Sequence, residues 1–292
     1  MSETLFTLPL DQPLDLTSTL ASGQCFRWRA DDAERWVGVI DRDVVRLGMS
    51  DGGLTIESSP TPAIEMVEPV AGYLRLDDDL LAIQSRIGSD PRVQEGIDRY
   101  PGLRVLRQDP WETLAGFILS STSNIGRISR TVELLAETFG APVTLGDVTR
   151  QTFPTPGELA EAGEARLREL GCGFRAPYLQ GAAEAVAAGQ LPLGQLRGAP
   201  YADALASLTG LHGVGDKIAD CAMLFSLDHM EAFPADRWVR KVVVEWYGMA
   251  ANLSYDGVRQ WAWERFGQDA GYANEYLFWN VRQSERANRA PK

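Results

Sequence analysis

Short apolar runs broken by turn residues occupy the stretch between residues 23 and 58. "QCFRWRA", "RWVGVI", "VVRLGM" and "LTIESS" are rich in β-branched and aromatic side chains, and "DRD" and "SDGG" punctuate them. That alternation predicts an antiparallel meander. From about residue 72 the apolar spacing changes to three and four, which predicts helices. "DPWETLAGFILSS" offers Asp109 as N-cap, Pro110 at the first helical position, Glu112 at the third, and a buried stripe of Leu114, Phe117 and Ile118. Ser123 or Asn124 caps the next helix, "IGRISRTVELLAETF", which stops at Gly140. "TPGELAEAGEARLRELG", "APYLQGAAEAVAAG", "SYDGVRQWAWERFG" and "AGYANEYLFWNVRQ" add four more. The pattern predicts an α+β protein. A small N-terminal antiparallel β-sheet domain with short helices spans residues 1–105, and a larger all-α domain spans 106–292.

Composition narrows the class. The chain has 292 residues, 45% of them hydrophobic, enough to fill two cores. Its longest apolar runs fall short of a membrane span, and "MSETLFTLPLDQPLDL" lacks the basic start and apolar block of a signal peptide. Cys25, Cys172 and Cys221 are odd in number and far apart, which fits a reducing compartment. Two histidines, His212 and His229, are too few for a zinc or iron–sulfur site. We expect a soluble intracellular protein of the cytoplasm and nucleoid, or of the nucleus in a eukaryote, with no resident metal. The net charge of −12 argues at first against a polyanionic partner. The same acid-rich, lysine-poor balance also suits a saline cytoplasm, in which case bulk charge records the solvent.

Against 25 arginines the chain holds three lysines, and one of them, Lys217, directly follows a glycine-rich turn. "YADALASLTGLHGVGDKIADCAMLFSL" reads as helix, tight turn, helix, with Gly210, Gly213 and Gly215 free to take positive φ. The amides of Gly213, Gly215 and the first turn of the next helix, Ile218 included, form a cluster suited to one backbone phosphate. A plain helical corner fits the same glycines. The spacing L-H-G-V-G-x-K-x-A is the helix–hairpin–helix pattern of DNA-binding proteins. Asp236 follows in "FPADRWVRKVVVEWYG", placed to cap a helix or to pair with the Lys217 amine across the hairpin mouth. An amine attacks carbon only when deprotonated, and desolvation favours that form. A guanidinium stays protonated. Position 217 therefore suits a nucleophile.

The hairpin "LHGVGDKIADC" followed by "PAD" resembles the helix–hairpin–helix glycosylase superfamily. "SGQCFRWR", "DPWETLAGFILSSTSNIGRI", "CGFRAPYL" and "GYANEYLF", in order over about residues 20–285, are similar to the eukaryotic-type 8-oxoguanine DNA glycosylase/AP lyases. The resemblance implies a base-excision repair enzyme with a helix–hairpin–helix glycosylase domain and no required cofactor. It leaves open a monovalent or divalent cation at the hairpin turn. Its partner would be double-stranded DNA carrying 8-oxoguanine opposite cytosine, engaged by a monomer away from any membrane. Lys217 would attack C1′ and form a Schiff base, and Asp236 would stabilise the cationic sugar. The Gly23 carbonyl would accept the N7–H of the flipped base, Cys221 and Phe278 would sandwich it, and Asn274, one methylene shorter than the family's glutamine, would read its Watson–Crick edge. Phe174 would wedge the duplex, and Arg127 and Arg175 would read the opposite cytosine. "SSTSNI" puts Thr122 where the family has the asparagine that fills the vacated stack, with Asn124 close behind. Trp238 stands in place of a phosphate-binding histidine.

Two other readings compete. One is a monofunctional alkyl-base glycosylase that activates water; Lys217 and "SGQCFRW" count against it. The other is a non-catalytic hairpin module that only binds DNA. A paired-carboxylate glycosidase would need a second well-placed acid, and the sequence offers none.

Overall fold

A five-stranded antiparallel sheet and a bundle of helices meet along one seam in the computed structural model, which describes residues 5–289. In chain order the elements begin β1 (Leu5–Leu8), α1 (Leu16–Ala21), β2 (Arg29–Ala30), β3 (Trp36–Ile40), β4 (Asp43–Ser50), β5 (Gly53–Ser59), α2 (Val67–Tyr73), α3 (Leu80–Ile87) and α4 (Pro91–Arg99). They continue with α5 (Pro110–Ile118), α6 (Ile125–Phe139), β6 (Pro142–Leu145), β7 (Val148–Gln151), α7 (Pro156–Leu167), α8 (Ala176–Ala187) and α9 (Leu193–Leu196). The last five are α10 (Tyr201–Thr209), α11 (Asp216–Ser226), α12 (Arg237–Glu245), α13 (Tyr255–Phe266) and α14 (Ala270–Arg289). The small sheet followed by a helical body is the predicted α+β class.

Sheet order is β1-β5-β4-β3-β2. The meander of β3, β4 and β5 is as predicted, with Val45 opposite Ser58 and Leu47 opposite Ile56. β1 returns from the N-terminus to pair Phe6 with Ile56. The expected strand over "QCFRWRA" shrinks to Arg29–Ala30, because tertiary bonds claim the residues before it. Gln24 donates to the carbonyls of Thr19 and Arg104 and accepts from the Leu106 amide. Residues 22–28 are thereby stitched to the chain entering α5.

A second hairpin, β6–β7, lies within the helical part. It explains why every position from Asp43 to Gly48 of β4 is buried instead of every other one. Val45 and Leu47 face a core shared with Leu20, Trp28, Val70 and Leu74. Val37 and Val44 face the other way, onto Leu145 and its half-buried neighbours Val143 and Val148. A strand covered on both faces loses its alternation. At the seam the buried Arg27 lies near Glu112 and Glu133, and Arg150 bonds Glu133. Burial pushes the Glu112 carboxyl up to about 6 against the pull of Arg27.

The main core belongs to the helices, and α5, α11 and α14 are its axis. Phe117 of α5 stacks on Phe225 of α11, while Leu224, Ala273 and Leu277 are fully buried. The N-caps follow the sequence: Asp109 accepts from Glu112 N, Asn124 from Arg127 N, and Ser254 from Gly257 N. Glu112 does not reach back to close the capping box at Asp109, since it faces Arg27. The complete capping box is Thr155 with Glu158, opening α7.

Candidate active site

α10 and α11 are joined by the turn 210–215, as the glycine pattern requires, though one glycine carries the strain. Gly213 has φ +84°, and a Cβ there would lie 2.2 Å from the Tyr178 ring. Gly210 and Gly215 have negative φ (−65° and −96°) and do not use the freedom the sequence gives them. Gly215 is exposed and caps α11, leaving the first amides of that helix outward. Ile218 is not among them. Its side chain is 7% exposed and its N–H is taken by the Gly215 carbonyl at 3.0 Å, which removes it from the expected DNA-contacting set.

One turn into α11, the half-buried Lys217 points into a cavity of about 290 Å³. Its Nζ donates to Ser120 Oγ at 3.2 Å and lies 5.0 Å from the Phe117 ring centroid. Asp236 lines the same cavity but forms no ion pair with Lys217 within 4.0 Å, so the expected pairing across the hairpin mouth is absent. The Asp236 Oδ1 accepts from Trp238 N at 2.8 Å and Val239 N at 2.9 Å, capping α12. A carboxylate held by two amides is fixed in direction and stays available on its second oxygen.

Gly23, Cys221, Asn274 and Phe278 all line this cavity with Lys217 and Asp236. Gly23 takes φ +103°, and a Cβ there would meet Ile125 Cδ1 at 2.3 Å; only glycine lets the main chain form this wall. Cys221 is 3% exposed, and burial pushes its thiol up to about 12 despite the nearby Lys217 charge. It is a neutral apolar surface and not a thiolate. Asn274 is 3% exposed and donates from Nδ2 to the Pro234 carbonyl at 3.2 Å, so its amide nitrogen is already engaged. Phe278 carries the Arg282 guanidinium 5.2 Å from its ring centroid. Trp238 lines the cavity beside Arg237, whose guanidinium lies 5.1 Å from the Trp238 ring.

The expected DNA-facing residues are placed differently from one another. Asn124 lines the cavity while capping α6. Thr122 is exposed with φ +51°. Phe174 is 50% exposed, a large aromatic standing in solvent. Arg127 is exposed on α6. Arg175 departs from expectation: it is 4% exposed and turned inward, donating to the carbonyls of Ser121 (2.6 Å) and Thr122 (3.1 Å), with its charged centre 4.3 Å from the Phe174 ring centroid. Desolvation, with Arg127 adding to it, lowers its affinity for the proton.

Three contributors went unread in the sequence. Ser120, in "SSTS", receives the Lys217 amine. Arg282 donates to the Ser22 carbonyl at 2.8 Å and so braces the peptide leading into Gly23. Glu275, in "GYANEYLF", is 2% exposed and lines the cavity. The i, i+3, i+7 spacing of Glu275, Phe278 and Arg282 was the available signal.

Many arginines are paired with acids. Arg35, Arg46, Arg75, Arg107, Arg259 and others sit on carboxylates. Among the described residues, Arg237, Arg282 and Arg286 in the cavity wall have no carboxylate within 4.0 Å, and neither do Arg127, Arg130 and Arg175. No group of three His, Cys, Asp or Glu among them could hold a metal ion. A cation at the hairpin turn would therefore rest on main-chain carbonyls, and those of Leu211 and Gly215 already accept from Val214 N and from α11.

Comparison with known proteins supplies the frame. Residues 7–114 match the family described as 8-oxoguanine DNA glycosylase, N-terminal domain, and residues 115–268 match the HhH-GPD superfamily of base excision DNA repair proteins. The N-glycosylase/DNA lyase OGG1 of Arabidopsis thaliana is 31% identical over 95% of this chain and 78% of its own length. The 8-oxoguanine glycosylase/lyase of Clostridium acetobutylicum, solved with double-stranded DNA containing cytosine opposite 8-oxoguanine, superposes with a TM-score of 0.89 at 30% identity, over 94% of this chain and 93% of that one. MBOgg1, solved with a low-affinity DNA ligand, gives a TM-score of 0.90 at 32% identity, covering 96% of each chain.

Proposed function

The chain belongs to the 8-oxoguanine DNA glycosylase family, and on that premise we propose that its cavity receives an 8-oxoguanine flipped out of duplex DNA, with Lys217 as the nucleophile. The protein is a base-excision repair glycosylase with lyase activity, and its partner is double-stranded DNA bearing 8-oxoguanine opposite cytosine. No cofactor enters the reaction.

The observation that carries the site assignment is the position of Lys217 Nζ, in the cavity wall with Gly23, Cys221, Asp236 and Phe278. The neutral amine attacks C1′ as the bond from C1′ to N9 breaks, and the base leaves with the bonding pair and then takes a proton. The Asp236 carboxylate, aimed by its two amide bonds, stabilises the positive charge that develops on the sugar. Ring opening gives an imine between Nζ and C1′. Loss of a C2′ proton then expels the 3′-phosphate by β-elimination and leaves the strand cut. Cys221 and Phe278 supply the apolar faces that hold the base. Phe174 fills space in the duplex beside the flipped nucleotide, and the outward amides at Gly213 and Gly215 bind a backbone phosphate.

Borohydride trapping on a duplex with one 8-oxoguanine opposite cytosine tests the assignment. A covalent protein–DNA species that Lys217→Gln abolishes, with duplex binding retained, is the expected result. Base release without any trapped species would reassign the chemistry to activated water.

A further inference from the structure

Lys217 and Asp236 line one cavity from different elements and make no ion pair within 4.0 Å, so contact between them does not fix their separation. A chain of hydrogen bonds connects them instead. Asp220 lies three residues beyond Lys217 on α11 and is fully buried. Its Oδ1 accepts from the Tyr201 hydroxyl of α10 at 2.5 Å. Its Oδ2 accepts from the Tyr255 hydroxyl at 2.8 Å and from Arg259 Nη2 at 3.4 Å. The Tyr255 oxygen in turn accepts from the Ala235 N–H at 3.2 Å, one residue before Asp236. Tyr255 opens α13, and Arg259, one turn on, also reaches Asp216 beside Lys217 at 3.1 Å. α13 therefore grips the first turns of α11 and, through one hydroxyl, the loop that carries Asp236.

The peptide between Pro234 and Ala235 is held on both sides. Asn274 donates to its carbonyl from α14, and Tyr255 takes its N–H. The two amides that bind Asp236 belong to α12 itself, so they aim the carboxylate relative to that helix and not relative to Lys217. Burial, reinforced by the Asp220 charge, holds the Tyr255 hydroxyl well above its ordinary range, so it keeps its proton for Asp220 and offers its oxygen to the amide. Burial raises the Asp220 carboxyl as well, with Arg259 the strongest pull against it.

We propose that Tyr255 is a positioning residue: it bridges Asp220 and the Ala235 amide, and so sets the distance between the Lys217 amine and the Asp236 carboxylate across the cavity. The inference rests on the functional reading above. The hydroxyl touches no reacting atom and acts through Asp236. Misplacing a reacting group by about 1 Å from a remote site can cost on the order of a hundredfold in rate. A buried amide left without its acceptor is costly, which favours a shifted loop.

The experiment is a double-mutant cycle on single-turnover excision of 8-oxoguanine opposite cytosine. Tyr255→Phe keeps the ring and deletes the bridge. Its excision rate is expected to fall about tenfold, with affinity for an undamaged duplex unchanged. In an Asp236→Asn background, where no carboxylate remains to be placed, the same substitution is expected to alter the residual rate by less than about twofold. Lost packing alone would slow both backgrounds equally. Asp220→Asn weakens the bridge from its other end and is expected to show the same dependence on Asp236, which keeps the test open if Tyr255→Phe does not fold. An excision rate untouched by these substitutions, or an equal loss with and without the Asp236 carboxylate, would overturn the proposal. Absence of 8-oxoguanine excision by the unaltered protein would overturn the functional reading itself, and this inference with it.

Discussion

Arg175 donates from Nη2 to the main-chain carbonyl of Thr122 at 3.1 Å, so a buried guanidinium holds the turn that leads into α6. The same arginine bonds the Ser121 carbonyl and stacks on Phe174. The turn and the exposed Phe174 ring are therefore linked through one side chain.

Thr122 is the strained member of that turn. A β-branched residue at φ +51° is unfavourable, and asparagine tolerates this region far better. Thr122→Asn is expected to raise unfolding free energy by about 1 kcal/mol, measured by urea denaturation. It should also increase the ratio of excision opposite cytosine to excision opposite adenine, because the longer polar side chain fills more of the vacated stack.

Asp236 caps α12, and the proposed reaction gives it a second job that substitution separates from the first. Asparagine preserves the cap on α12, so Asp236→Asn should leave stability nearly unchanged, whereas Asp236→Ala should cost about 1 kcal/mol. Both should lower the excision rate by roughly a hundredfold or more, because each removes the carboxylate charge. Thermal melts and single-turnover kinetics on the two variants read the jobs apart. An active Asp236→Asn would leave the residue with capping alone.

The hairpin glycines divide similarly. A methyl group at Gly213 would collide with Tyr178, while one at Gly215 meets open space. Gly213→Ala is expected to destabilise the fold by more than about 2 kcal/mol. Gly215→Ala should fold normally yet bind duplex DNA more weakly, since its Cβ would stand where the proposed function puts a backbone phosphate. Denaturant midpoints and titration with an undamaged duplex distinguish the two.

Glu275 also makes stability depend on pH. Its folded-state pKa of about 7 lies above the ordinary value of 4.5, so the folded state binds this proton more tightly than the unfolded chain. The contribution is fully present below about pH 4.5 and is lost as pH rises through about 7. Relative to Glu275→Gln, the unaltered protein should therefore gain about 2 kcal/mol between about pH 8 and about pH 5. Paired denaturation curves of the two proteins check this, with the charges common to both cancelling.

Much of the fold and site could be read from local signals. The caps at Asp109, Asn124 and Ser254 stand beside their helices, and the Lys217 motif names its turn. What escaped depended on distance. β1 finds β5 across some fifty intervening residues, and no short window holds that pairing. The hairpin β6–β7 did carry a signal, Gly146–Asp147 between "PVTL" and "VTRQ", but it sits among helices and the helical period prevailed. "QCFRWRA" has strand composition yet is bent by Gln24 and Arg27 into the seam. At the site, the absent pairing of Lys217 with Asp236 and the inward turn of Arg175 follow from acceptors the sequence could not reveal: Ser120 Oγ and two main-chain carbonyls.

The uncompensated arginines beside the cavity have a consequence for how the protein meets its target. With a net charge of −12, most orientations of approach to a polyanion are repelled, and the repulsion is strongest at low ionic strength. Encounters that lead with the cavity are spared, because there Arg237, Arg282 and Arg286 have no carboxylate within 4.0 Å. The acidic exterior thus acts as a filter on geometry: back-side collisions separate at once, and the contacts that persist already face the strand to be inspected. Adding salt relaxes the filter and weakens the grip together, so the number of productive visits changes less than the affinity alone would suggest.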